Sequence, residues 1–278
     1  MKIPTSLGFD GSFAKKLVEM QTKAGPRVLK SKAHQQTGDL IVGLLKQFKF
    51  QVVEQSEYRN IIGSINPENK NRILFTAHWD TRPWADQDTE NKDKPGPGAN
   101  DGGSGVAVLL EMARNLSLSQ PKIGVDLIFW DAEDLGTSDK EDSYCLGSQY
   151  WTKNPHVKNY SAKFGVNLDM VGAAGARFPI EGYSLQMGKL AVEKVLAAAS
   201  TAGTSAYFER RQGSYITDDH FYIMKALKIP MMDVIQLRSS GGFYEHWHTH
   251  QDTVDKISES TLQAVGNTML AVIKGEDL

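Results

Sequence analysis

The chain reads as an α/β three-layer sandwich with a mixed, mainly parallel central sheet flanked by helices. Two observations carry this. Val125 to Trp130 is a near-continuous apolar run, and Phe164 to Leu168 and Met231 to Ile235 read the same way. Such runs mark strands covered on both faces, the usual state of a parallel sheet. The segments between them repeat their apolar residues at helical spacing, and alternation of strand and helix is the pattern of an α/β fold.

In chain order, the first elements are helical. Phe13, Leu17 and Met20 share one face, Leu40, Leu44 and Phe48 another, and Gly25-Pro26 separates the two segments. Gln51 to Glu54 and Asn60 to Ile65 follow as a hairpin or as neighbouring strands, with Arg72 to Ala77 as a third. The stretch from Asp80 to Asn100 is polar, charged and interrupted by Pro83, Pro95 and Pro97, which predicts a long loop. Loops of that length inside a domain are usually functional or disordered. Val106, Leu109, Leu110 and Ala113 then share a helix face, as do Val192, Val195, Leu196 and Ala199. Ser258 is a good N-cap for a last helix whose inner face is Leu262, Val265, Met269 and Val272. There is no internal repeat, low-complexity tract or linker, so residues 1–278 are expected to form one domain.

Composition narrows the function classes. A chain of 278 residues can bury a full core without staples. A net charge of -2 gives no electrostatic footprint for nucleic acid or an anionic membrane. The lone cysteine, Cys145, excludes an internal disulfide and a multi-cysteine metal cluster; with no clear base beside it in sequence, it is expected to be buried packing. No apolar run reaches the roughly 18 residues of a membrane span. Met1-Lys2-Ile3-Pro4 has no apolar signal core, which leaves a cytosolic protein or one whose signal has been removed.

Polar clusters sit just after the expected strands: His78-Trp79-Asp80, Asp131-Ala132-Glu133-Asp134, and Asp169. Asp218-Asp219-His220 and the run His246 to His250 come later, and Asn100-Asp101-Gly102-Gly103-Ser104-Gly105 lies between loop and helix. Ligands in parallel sheets bind beyond the carboxyl ends of strands, so these clusters are placed to converge. Singly, each has a plain reading. Asp-Gly-Gly is a turn, Asp131 to Asp134 a solvated strand end, Asp218-Asp219 a helix cap and His78 a satisfied core histidine. Three histidines in five residues are rarely all ligands, and His34 and His156 match no pattern. Together, carboxylates and imidazole without thiolate fit zinc better than magnesium or calcium, which prefer all-oxygen shells. Glu133 beside Asp134 implies a division of labour, one acid holding metal and the other moving protons. The glycine turn lacks the patterns of a phosphate loop, and Ser104 and Ser148 sit in no nucleophile elbow.

At these clusters the sequence resembles the zinc aminopeptidase clan, and more closely its glutaminyl cyclase branch, over about Arg72 to Ile257. The resemblance implies one zinc held by Asp101, Asp134 and His248, with Glu133 as general acid/base. It implies that Asp169 and Asp218 are hydrogen-bonded acids behind Glu133 and that Trp247 is a wall of the substrate pocket. The implied reaction closes the N-terminal glutamine of peptides or proteins to pyroglutamate with release of ammonia. Like-charge repulsion from Asp169 and Asp218 would raise the proton affinity of Glu133, and zinc would oppose it. The segment with Thr81-Arg82-Pro83-Trp84 looks like that of bacterial members, which implies export to the periplasm, with a cytoplasmic location as the alternative. Arg82 and Trp84 either line the site or brace the loop. Aminopeptidases of the clan bind two zincs, and His78 and Asp169 match their added ligands. A binding module on the same scaffold is a third reading, although such modules typically lose ligands that are present here. The chain departs from the animal cyclases in three ways. It has Glu133-Asp134 for Glu-Glu, so the shorter Asp134 must reach zinc from a closer backbone. It lacks their paired cysteines, and it offers no match for a second pocket tryptophan soon after Glu133.

Overall fold

Side-chain oxygens start the helices where the sequence offers them. Asp10 accepts the amide of Phe13 at the start of α1 (Gly11–Lys23), and Ser31 accepts that of His34 at the start of α2 (Lys32–Gln47). The structure, a computed structural model, describes residues 2–277, apart from the side chain of Glu141. After the two helices come β1 (Gln51–Glu54), β2 (Ile61–Ile65), β3 (Arg72–His78), α3 (Gly103–Ser119) and β4 (Gly124–Trp130). The chain continues through α4 (Leu146–Lys153), β5 (Gly165–Asp169), β6 (Phe178–Ile180), α5 (Gly182–Met187) and α6 (Lys189–Thr201). It ends with β7 (Phe208–Gln212), α7 (Asp219–Leu227), β8 (Met231–Ile235) and α8 (Glu259–Glu276), the last capped by Ser258.

Six strands form one sheet in the order β1-β2-β4-β3-β5-β8. β1–β2 and β2–β4 are antiparallel, and the rest are parallel. The mixed, mainly parallel sandwich expected from the sequence is what forms. Side-chain alternation explains its layers. Ile73 and Phe75 of β3, with Val125, Leu127 and Phe129 of β4, face a core shared with α1, α3, α6 and α8. Leu74, Ile128 and Trp130 point the other way, into a second core with Trp151 of α4 and Ile223 and Met224 of α7. Each buried side chain of this size contributes about 1.5–3 kcal/mol. A buried carboxylate within the second layer, Asp126, is matched by the Arg72 guanidinium, the Tyr160 hydroxyl and the Ser64 hydroxyl at 2.6–2.8 Å.

Three details differ from the sequence reading. β3 and β5 run one residue further than expected, so His78 and Asp169 are the last residues of their strands rather than the first beyond them. The short β6 and β7 pair in a separate parallel sheet, and α5 and α4 are further unforeseen elements. β7 reads Phe-Glu-Arg-Arg-Gln and is largely exposed, so no hydrophobic alternation announces it.

The register brings the chemistry together. His78 pairs with Trp130, and Asp169 pairs with Ile235, so the carboxyl ends of β3, β4, β5 and β8 lie along one edge. Among the described residues, no helix is long and apolar enough to cross a membrane.

Candidate metal centre and catalytic cleft

The centre is built on tight turns at that edge. Beyond β4 the chain turns through Ala132 at φ 54°, beyond β5 through Met170 at φ 49°, and His248 itself sits at φ 55°. These left-handed conformations cost a non-glycine residue about 1–2 kcal/mol each and cluster where a side chain must be aimed. The Asp101 turn lies flat against the sheet. A Cβ on Gly102 would stand 2.3 Å from the carbonyl oxygen of His78, and one on Gly105 would stand 2.2 Å from that of Leu168. Both positions therefore require glycine, which explains the glycine run in this turn.

Asp101, Asp134 and His248 are buried and bring three ligand atoms within 4.8 Å of one another. Nε2 of His248 lies 3.2 Å from Oδ1 of Asp134 and 3.6 Å from Oδ2 of Asp101. Two carboxylates and one imidazole converging in a buried space are a donor set suited to zinc. A second group adjoins the first: Nε2 of His78 is 3.0 Å from Oδ1 of Asp101 and 3.3 Å from Oδ1 of Asp169. Asp134 reaches the centre despite its short side chain, and Asp80 explains how. Its two oxygens accept the amides of Glu133 and Asp134 at 3.1 and 3.2 Å, drawing that backbone inward.

Glu133 stands apart from the three converging donors, in a group with Asp218 and Cys145. The Cys145 thiol donates to Oε1 of Glu133 at 3.2 Å. This corrects the expectation of a cysteine without a base beside it; sequence separation concealed a contact made by the turn of β4 meeting the start of α4. Burial foremost, with the charges of Asp134 and Asp218 added, pushes the Glu133 carboxyl well above its usual range, against the pull of His78. Burial and the neighbouring Asp101 raise Asp169 to about 7. Burial opposes charge on His248, but Asp134 overrides it and raises the ring to about 9. Protein charges alone thus leave the centre crowded with acids, a distribution that a divalent cation would relieve.

The cleft is lined by Tyr144, Ile216, Phe243 and Trp247 together with the acids. Trp247 stacks on His248 with ring centroids 3.7 Å apart and packs on Phe243 at 4.4 Å. Tyr144 is an aromatic lining residue that follows Glu133, where the sequence offered no second tryptophan. Arg82 braces the loop and also touches the centre. It grips Asp86 through two nitrogens, reaches Oδ1 of Asp134 at 3.2 Å, and lies over the Trp84 ring at 4.9 Å.

Several supporting residues carried no signal in the sequence. Asp252 accepts the amides of Asn100 and Asp101 at 2.9–3.1 Å, fixing the turn that presents Asp101. The fully buried Arg27 donates to the carbonyls of Trp79, Pro97, Gly98 and Asp101 and pins the 80–100 loop down. Asp218 caps α7 by accepting the amide of Asp219, so the cap reading and the cleft reading both hold for it. Of the three histidines at 246–250, His248 alone joins the converging donors; His250 pairs with Asp88 at 2.8 Å. His34 bonds Asp131 at 2.7 Å and stacks on Trp79, while His156 accepts from the Trp151 indole.

Comparison with known proteins fits this geometry. The chain matches a glutaminyl cyclase from Bacteroides thetaiotaomicron, solved with N-acetylhistamine bound, at 44% identity and a TM-score of 0.93, covering 98% of this chain and 99% of that one. It matches a Zn-dependent exopeptidase from Parabacteroides distasonis at 42% identity and a TM-score of 0.92, with the same coverage. Among curated proteins, it is 29% identical to the aminopeptidase YwaD of Bacillus subtilis over 77% of this chain, and 25% identical to the glutaminyl-peptide cyclotransferase of Bos taurus over 74%. The chain spans 44% and 62%, respectively, of those two relatives. The model of peptidase family M28 matches residues 60–273, most of the chain, and the protein belongs to that family.

Proposed function

We propose that the protein is a zinc-dependent glutaminyl-peptide cyclotransferase, with residues 1–278 acting as one catalytic domain. The observation that carries this reading is the likeness, along nearly the whole chain, to a glutaminyl cyclase. Asp101, Asp134 and His248 would hold one zinc, which when bound supplies Lewis acidity toward a carbonyl oxygen.

The protein's own part is positional and protonic. The α-amine of an N-terminal glutamine attacks its side-chain carbonyl carbon. A C–N bond to the amine forms, the bond to the amide nitrogen breaks, and ammonia leaves. Both reacting groups belong to one residue, so the cleft mainly has to fold that side chain back. Tyr144, Phe243, Ile216 and Trp247 provide an apolar wall for it. Glu133 takes the proton from the attacking amine and returns one to the departing nitrogen. A carboxyl raised above its usual range suits that exchange near neutral pH. Asp169 and Asp218, lining the same cleft, support Glu133. Resemblance to the bacterial cyclases supports export to the periplasm.

A second reading, a di-zinc aminopeptidase, is favoured by the group of His78, Asp101 and Asp169. Incubation with a short peptide bearing N-terminal glutamine, followed by mass spectrometry, separates the two. Loss of one ammonia from an otherwise intact peptide is the expected result. Release of free glutamine, with two zincs per chain, would replace the cyclase by the aminopeptidase.

A further inference from the structure

Glu181 is fully buried at the end of β6, and its carboxylate gathers five donors. Oε1 accepts the amides of Tyr183 at 2.8 Å and Ile216 at 2.9 Å. Oε2 accepts the amide and the hydroxyl of Ser184 at 2.7 and 2.8 Å, and lies 2.9 Å from Nε2 of His220. The bonds to Tyr183 and Ser184 are those of an ordinary helix cap for α5. The bonds to Ile216 and His220 are not, for these residues lie 35 and 39 positions away.

Those two residues flank Asp218, one two positions before it and the other two positions after. Ile216 also lines the cleft. A third connection runs through the sheet. The Ser184 hydroxyl accepts the amide of Asp233, and Asn167 donates one side-chain nitrogen to Oδ1 of Asp233 and Oδ2 of Asp218 at 3.1 and 2.7 Å. Glu181 therefore meets the chain on both sides of Asp218 and, through β8, the group that grips its carboxylate. Removing a buried acceptor of this kind leaves several donors unpaired, which forces local movement.

We propose that Glu181 is a positioning residue for Asp218, fixing it beside Glu133 through the Ile216 amide and the His220 ring. The proposal rests on the reading of Glu133 as the acid/base of the reaction and of Asp218 as an acid that supports it. It extends the catalytic machinery to a residue that does not itself line the cleft.

The test is steady-state ammonia release from an N-terminal glutamine peptide. Glu181→Gln is expected to lower kcat by roughly 10- to 100-fold through misplacement, with KM nearly unchanged. In an Asp218→Asn background the same substitution is expected to change kcat by less than about twofold, because the two residues act as one unit. Equal losses in both backgrounds, or a folded Glu181→Gln protein with normal kcat, would overturn the proposal. Should Glu181→Gln not fold, the His220 pair decides. His220→Gln keeps a donor for Oε2 and should recover most of the kcat lost in His220→Leu, whereas equal losses would overturn the idea. If the wild-type protein releases no ammonia, the cyclase reading fails by itself; the same comparisons then run on amino-acid release, where Glu133 and Asp218 keep their places.

Discussion

Nδ1 of His248 lies 3.1 Å from Oδ1 of Asp86, while Nε2 of the same ring faces Asp134. Asp86 is held in turn by two nitrogens of Arg82. The carboxylate thus favours a proton on Nδ1 and a lone pair on Nε2, the state a metal-binding imidazole needs. Asp86→Ala is expected to weaken zinc binding by about 10- to 100-fold. Competition with a chromophoric chelator measures this, and unchanged affinity would detach Asp86 from the centre.

Glu133 groups with Cys145 and Asp218 and not with Asp101, Asp134 and His248, which fits the proposed acid/base role rather than a ligand role. Glu133→Gln should keep its zinc and lose turnover by at least about 10²-fold. Metal analysis and ammonia release on the same sample check both halves. Retained turnover would exclude Glu133 as the acid/base.

Gly102 packs against the end of β3, where an added Cβ would stand 2.3 Å from the carbonyl oxygen of His78 and 2.6 Å from its Nε2. Gly102→Ala is expected to cost about 1–3 kcal/mol in urea unfolding and to reduce zinc affinity, since the Asp101 turn must lift. Wild-type stability in this variant would show that the turn has slack.

Burial opposes charge on Glu181, but the bond to His220 and the backbone amides win, lowering its pKa from 4.5 to about 2. A depressed folded-state value stabilises the protein above the unfolded value, and the contribution is lost as pH falls from about 4.5 through about 2. The shift corresponds to at most about 3–4 kcal/mol. Urea unfolding at pH 6 should separate wild type from Glu181→Gln, and the gap should narrow markedly by pH 3. A gap independent of pH would mean that the Glu181 pKa is the same in the folded and unfolded protein, and a gap that widens toward low pH would mean that its neutral form is the one the fold favours.

Much of the site could be read from sequence because a parallel sheet sends its strand ends to one edge, so a polar cluster after each apolar run marks a place near that edge. Glu133, Asp134 and Asp169 were recognisable in this way, Asp101, Asp218 and His248 through the family resemblance, and the structure brings all six into one cleft. Their supports were not. Asp252 meets the Asp101 amide across 151 residues, and Glu181 meets His220 across 39. Such bonds leave no periodicity and no motif, since any carboxylate on the right turn can accept an amide. Arg27 was equally silent, because a buried guanidinium serving carbonyls looks like any surface arginine in sequence. Tyr144 and the Cys145 thiol depend on the turn between β4 and α4, whose left-handed residues Ala132 and Cys145 are not glycines and so gave no turn signal.

The stacking of Trp247 on His248 should let the centre report optically on its own occupancy. Indole emission responds to contact with a charged or metal-bound imidazole. Trp79, Trp130 and Trp151 are fully buried, and Trp84 lies against Arg82, so the ring in face-to-face contact with His248 is Trp247. Its fluorescence should follow zinc loading without any added label, turning a ring that lines the cleft into a gauge of metal occupancy.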